Sequence, residues 1–107
     1  MERLSHSEWQ LMRIVWRHGR TTVRQVLAED LEQHDRDYRT ILTFMSRMAK
    51  KGWLEVEKEG QTNYYTPAVE QEEALREEIR RFLDEVVGPE PENLELVSQE
   101  LQDKRRR

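Results

Sequence analysis

From Arg39 to Lys51 the chain carries four cations, three hydroxyls and no carboxylate. Placed on a helix at about 100° per residue, Ile41, Leu42, Phe44, Met45, Met48 and Ala49 fall on one half. Arg39, Thr40, Thr43, Ser46, Arg47, Lys50 and Lys51 fall on the other. The whole chain has 22 Asp+Glu against 18 Lys+Arg, so a seven-residue face without an acid needs a reason. Solvation of an amphipathic helix explains a polar face, but it does not select one sign of charge. Nucleic acid does. An α-helix fits the DNA major groove, Arg pairs bidentately with guanine, and Thr offers a hydroxyl and a methyl. Residues near the N-terminus of such a helix reach base edges first, which points to Arg39, Thr40 and Thr43. Arg47, Lys50 and Lys51 lie further along and suit the phosphate backbone, with Ser46 on the same face. Asp37 and Tyr38 stand at the end where free backbone N–H groups favour anions.

Other chemistry finds little footing. With no cysteine there is no disulfide, no thiolate metal site and no thiol nucleophile. His6, His18 and His34 form no ligand-spaced pair and read as surface residues. Glu72-Glu73, Glu77-Glu78 and Asp84-Glu85 alternate with Arg76, Arg80 and Arg81, the pattern of i,i+4 ion pairing rather than acid–base catalysis. The four glycines sit at element ends and build no phosphate loop. Met45 and Met48 share the apolar arc with Ile41 and Phe44 and read as core. The expectation is a non-enzyme with no metal and no cofactor.

Positioning the cationic helix requires a small scaffold, and the punctuation for one is present. Ser5 or Ser7 caps a first helix, in which Trp9, Leu11, Met12, Ile14, Val15 and Trp16 keep helical spacing up to Gly19. Arg20-Thr21 is a short extended bridge. Thr22 caps a second helix carrying Val23, Val26, Leu27 and Leu31, and Gln33 to Arg36 is a loop. Asp37 caps the third helix, which stops at Gly52. Trp53 to Lys58 alternates with period two, Glu59-Gly60 turns, and Gln61 to Thr66 returns as a second strand. Trp53 is expected to pack at the sheet edge. Helix, bridge, helix, helix and hairpin is the order of a winged helix-turn-helix domain.

Charge and aromatic content divide the chain at Pro67. Residues 1–67 hold 11 basic and 10 acidic residues, and 68–107 hold 7 and 12. Seven of the eight aromatic residues lie in the first part, and only Phe82 lies in the second. The bulk charge of −4 therefore belongs to the tail, while Arg36 to Lys51 holds five bases and one acid. In the tail, Leu75, Ile79, Phe82, Leu83 and Val86 mark one narrow apolar stripe. Leu94, Val97 and Leu101 mark another after Gly88-Pro89-Glu90-Pro91. Stripes that narrow need a partner helix. The expected organisation is a DNA-binding domain at 1–67 and a helical dimerisation arm at 68–107. No apolar run approaches a membrane span and no signal-like segment begins the chain, so a cytoplasmic protein is expected.

Several stretches resemble the penicillinase-repressor family of bacterial transcription regulators, the BlaI/MecI/CopY group. They are Leu4-Ser5 to Glu8, Leu11-Met12 with Val15-Trp16, Arg39-Thr40-Ile41, Arg47-Met48 and Lys50-Lys51-Gly52. The hairpin adds Lys58-Glu59-Gly60 and Tyr64-Tyr65-Thr66-Pro67. The resemblance implies a winged-helix homodimer that binds a palindromic operator in double-stranded DNA and blocks transcription. By the same resemblance Lys58, Gln61 and Thr62 of the wing hold the DNA backbone, and the C-terminal helices make the dimer. The wing departs from the family in placing Gln61 where a basic residue is common. Neither the cleavable segment of β-lactam-responsive members nor the cysteine cluster of copper-responsive ones has a counterpart, so no inducer, sensor or protease partner is assigned. The alternative from another class is a winged-helix protein-interaction module without specific DNA binding.

Overall fold

The computed structural model describes residues 1–107. It is mainly helical with one hairpin, the winged helix-turn-helix order expected. Two compact units are present, Met1–Glu70 and Gln71–Arg107.

In the first unit, α1 (His6–His18) begins on Ser5. The Ser5 hydroxyl accepts the Glu8 N–H at 3.2 Å, and the Glu8 carboxylate accepts the Ser5 N–H at 2.8 Å. Such a reciprocal cap contributes about 1 kcal/mol. Leu11, Met12, Ile14 and Val15 are buried, and Gly19 (φ +82°) ends the helix by donating to the Val15 carbonyl. The second helix, α2 (Val23–Asp30), repeats the device with Thr22 and Gln25. It stops one residue short of the expected Leu31, which is half exposed. The chain turns there because the residue drawn inward is Asp30, not Leu31. The third helix, α3 (Tyr38–Lys50), is capped by Asp37 and buries Ile41, Met45 and Met48 completely. Leu42, Phe44 and Ala49 flank them half-buried.

Strands β1 (Leu54–Glu59) and β2 (Thr62–Pro67) pair antiparallel with Glu59 opposite Thr62. Gly60 (φ +61°) takes the left-handed position that a two-residue hairpin loop requires. An isolated hairpin is marginal in water, and this one is pinned. Thr21 exchanges both backbone hydrogen bonds with Tyr65, at 2.9 and 2.7 Å. Trp53 is buried beyond the sheet edge. Its ring meets Trp9 edge-on at 5.7 Å and its indole N–H donates to the Glu2 carbonyl. Trp9 in turn lies 6.1 Å from Trp16, whose indole N–H reaches the Val69 carbonyl. Ala68 donates to the Trp53 carbonyl. These bonds keep residues 68–70 with the first unit, three residues beyond the Pro67 boundary read from composition.

The second unit contains α4 (Gln71–Phe82), a π-helical turn (Leu83–Val87) and α5 (Pro91–Arg105). The π turn was not visible in the uninterrupted apolar spacing of Leu75 to Val86. It closes with the Gly88 N–H on the Leu83 carbonyl, and Asn93 donates to the Val87 carbonyl at 3.1 Å. Arg76–Glu72 and Arg81–Glu77 make i,i+4 pairs and Arg81–Glu78 an i,i+3 pair. Leu75, Ile79, Phe82, Val86, Leu94 and Leu101 are exposed, and Leu83 and Val97 half-buried. No helix is long and apolar enough to cross a membrane.

One buried ion pair joins the start of α1 to the end of α3. Lys51 Nζ lies 2.7 Å from Glu8 Oε1, with the Glu8 side chain almost wholly buried. Burial alone would raise the Glu8 carboxyl. The bonds from Lys51 and Ser5 outweigh it and hold the group below its ordinary 4.5. Glu8 thus adds stability that is complete above that value and is lost as pH falls through its folded-state pKa. Lys51→Met should cost about 3 kcal/mol or more near neutral pH by leaving a buried carboxylate unpaired. In urea unfolding, the gap to wild type should narrow as the solution is acidified and Glu8 takes up a proton. A pH-independent gap would mean that the pair does not carry the loss.

Candidate nucleic-acid interface

The outer face of α3 is smaller and more ordered than the helical wheel implies. Arg39, Thr43, Ser46, Arg47 and Lys50 are exposed and form one continuous stripe along the helix, while Thr40 is half-buried. Two of the five bases counted between Arg36 and Lys51 are turned inward. Lys51 serves Glu8 and the Arg3 carbonyl, which removes it from the phosphate-holding set. Arg36 spans the turn before α3. Its guanidinium meets Asp30 Oδ1 at 2.9 Å and Ser7 Oγ at 3.2 Å and also reaches Gln10. Asp30 is 2% exposed at its side chain and accepts from His34 Nδ1 at 3.1 Å as well. His34 is therefore half-buried and structural rather than a surface residue. Three cations remain on the stripe: Arg39, Arg47 and Lys50. None of them is in an ion pair with a carboxylate.

Two of the hydroxyls expected to read bases are committed within the helix. Thr43 donates to the Arg39 carbonyl at 3.0 Å, so outward it offers an acceptor oxygen and a methyl. Thr40 gives its N–H to Asp37 Oδ1 at 2.8 Å. The backbone N–H and hydroxyl of Thr40 together hold the Asp37 carboxyl below its usual range. The N-terminus of α3 is thus partly occupied by its own ionised cap, which opposes a phosphate there. Thr40, Arg39, Thr43, Phe44 and Arg47 line a shallow depression on this face.

The wing is less cationic than the expectation for Lys58, Gln61 and Thr62 suggested. All three are exposed. The register, however, places Glu55, Glu57 and Glu59 together on the face that also carries Tyr64, and Lys58 is the one basic residue in either strand. Arg20 meets this acidic face, with its guanidinium 2.7 Å from Glu59 Oε2 and 3.8 Å from the Tyr64 ring centroid. Neither Arg20, read only as part of an extended bridge, nor Arg24 stands out in the sequence as a site candidate, because neither belongs to the cationic run of the third helix. The alternation of glutamates in β1 was the available signal for the acidic face. Among all residues no cluster of His, Asp and Glu is arranged to hold a metal.

A family model described as Penicillinase repressor matches residues 4–104. This chain belongs to the penicillinase repressor family. Within known penicillinase repressors and their relatives, it is 38% identical over 87 residues to a protein of Latilactobacillus sakei known as the uncharacterized 16.5 kDa protein in the ptsI 3' region. That match covers 79% of this chain and 58% of the other. It is 28% identical over 81 residues to the penicillinase repressor of Bacillus licheniformis, covering 76% and 63%. Less than two thirds of either relative's length is therefore spanned. A solved neighbour is the Bacillus licheniformis BlaI monomeric form in complex with the blaP half-operator. It matches with a TM-score of 0.57 and 30% identity over 65% of this chain and 85% of that one.

Arg36 is the side chain that ties the turn before α3 to α1. Replacing it with Ala should cost about 3 kcal/mol by stranding the buried Asp30 carboxylate. Arg36→Lys should recover only part of that, since one ammonium cannot span Asp30 and Ser7 together. A urea midpoint for Arg36→Lys equal to that of wild type would exclude the forked arrangement as the source.

Proposed function

We propose that this chain is a sequence-specific DNA-binding transcriptional repressor that acts as a homodimer on a palindromic operator, without enzymatic activity, in the cytoplasm. The observation that carries the reading is the acid-free stripe of Arg39, Arg47 and Lys50 on the exposed side of a helix-turn-helix third helix. In an acidic protein that stripe matches the charge and the dimensions of the major groove. Family membership supports it, as does the likeness to a repressor solved on half-operator DNA.

Within this reading Arg39 pairs with a base edge, and Thr43 presents its methyl and acceptor oxygen to one. Ser46, Arg47 and Lys50 hold the backbone, and Lys58, Gln61 and Thr62 make hydrogen-bonded or weakly cationic wing contacts. Thr40 acts through Asp37 and the start of the helix. Lys51 positions the helix. The stripes Leu75–Ile79–Phe82–Val86 and Leu94–Val97–Leu101, exposed except at half-buried Val97, form the dimer contact, with Leu83 beside the first.

Selection of bound duplexes from a random pool tests the reading in one experiment. A pseudo-palindrome with half-site centres about one helical turn, or a multiple, apart is expected. Arg39→Ala should relax preference at one base pair per half-site, whereas Lys50→Ala should weaken all sequences alike. Identical selected motifs from wild type and Arg39→Ala would sink the role given to Arg39. No retention of any duplex at low salt would favour the protein-docking alternative.

Dimerisation is tested by the solution mass of residues 1–70 against the full chain. The shorter form should be monomeric, and a dimer of it would move the interface out of the helical arm.

A further inference from the structure

A groove separates the wing from the N-terminal turns of α2 and α3. Its walls include Thr22 and Arg24 from α2, Tyr38 from α3, and Gln61, Thr62 and Asn63 from the hairpin. No carboxylate lines it. Thr62 and Tyr64 in its wall share their hairpin face with Glu55, Glu57 and Glu59, yet none of those glutamates lines the groove. Arg24 is the one cation in the groove. It is exposed and takes part in no ion pair, unlike Arg17, Arg20 and Arg36, each of which holds a carboxylate. Its guanidinium lies over the Tyr38 ring, 5.2 Å from the centroid. This is within the range of a cation–π contact. No carboxylate competes with a ligand for its N–H groups.

We propose that this groove receives the sugar–phosphate backbone of duplex DNA beside the segment read by α3, with Arg24 as the phosphate-binding residue and Tyr38 as the residue that positions it. The inference rests on the DNA-binding reading above. Three features favour a phosphate over a base edge or a peptide. The groove is polar, acid-free and supplied with amide and hydroxyl donors from Gln61, Thr62 and Asn63. A planar guanidinium with free donors suits a phosphate bidentately. The anion site otherwise expected at the start of α3 is opposed by the ionised Asp37, so the phosphate flanking that end needs another cation. Arg24 is the cation that stands next to it.

The test is titration of the full chain with a fluorescent duplex of random sequence and with a pool-selected duplex, over a series of salt concentrations. Arg24→Ala removes an exposed side chain from a helix and introduces a better helix former, so folding is not at issue. It should weaken both duplexes by the same factor, several-fold. The slope of log affinity against log salt should become shallower by about one. Tyr38→Ala should lose part of that affinity and Tyr38→Phe none, and adding Tyr38→Ala to Arg24→Ala should cause no further loss. Unchanged affinity and slope in Arg24→Ala, with Lys50→Ala weakened in the same assay, would overturn the groove assignment and leave the repressor reading standing. A loss confined to the selected duplex would make Arg24 a base reader and also overturn it. Failure of the wild type to bind either duplex would overturn both.

Discussion

Lys51 reaches back from the C-terminal end of α3 to a carboxylate buried under the first turn of α1. At the other end of the same helix, Arg36 is drawn to a second buried carboxylate, Asp30. Between these anchors Ile41, Met45 and Met48 are wholly removed from water. A helix fastened by charge at both ends and by close packing along its length can neither slide nor rotate without breaking a buried pair, and that costs several kcal/mol. The outward direction of Arg39, Thr43, Arg47 and Lys50 is therefore a by-product of where their inward neighbours are held. Base discrimination by side chains depends on hydrogen-bond geometry, so a face that could turn would have little selectivity.

The same principle accounts for the division of labour among the basic residues. A cation can be attached to the protein's own carboxylates or be kept for a partner. Arg17, Arg20, Arg36 and Lys51 each hold a carboxylate of a different element, while Arg24, Arg39, Arg47 and Lys50 remain unpaired near the α3 side of the domain. Net charge is a poor guide to such a protein, because the acidic excess lies mostly on the exposed surfaces of α4 and α5.

Much of the architecture was legible because it is written in local signals. The caps at Ser5, Thr22 and Asp37, the glycine stops, and the change of period from helical to alternating at Trp53 each involve residues a few positions apart. The stripe on α3 was legible for the same reason. What escaped depends on long-range partners. Lys51 sits on the polar half of the wheel, and only the fold shows that Glu8, 43 residues earlier, claims it. Arg36 likewise looked like part of the cationic run until Asp30 proved to be buried. The bonds of Thr40 and Thr43 are also hidden, because a wheel places both on the polar half and does not show hydrogen bonds to the helix or its cap. The π turn at Leu83–Val87 was hidden because one extra residue in a turn hardly disturbs an apolar stripe.

The pairing of Thr21 with Tyr65 has a mechanical consequence. Thr21 is hydrogen-bonded to the returning strand on both its N–H and its carbonyl, and the next residue in the chain, Thr22, is already the cap of α2. The hairpin and the start of that helix are thus separated by a single peptide unit. They behave as the two jaws of a caliper whose gauge is set at the hinge. The jaws cannot spread near their base without parting a strand bridge. Whatever occupies the space between them must come with the right width.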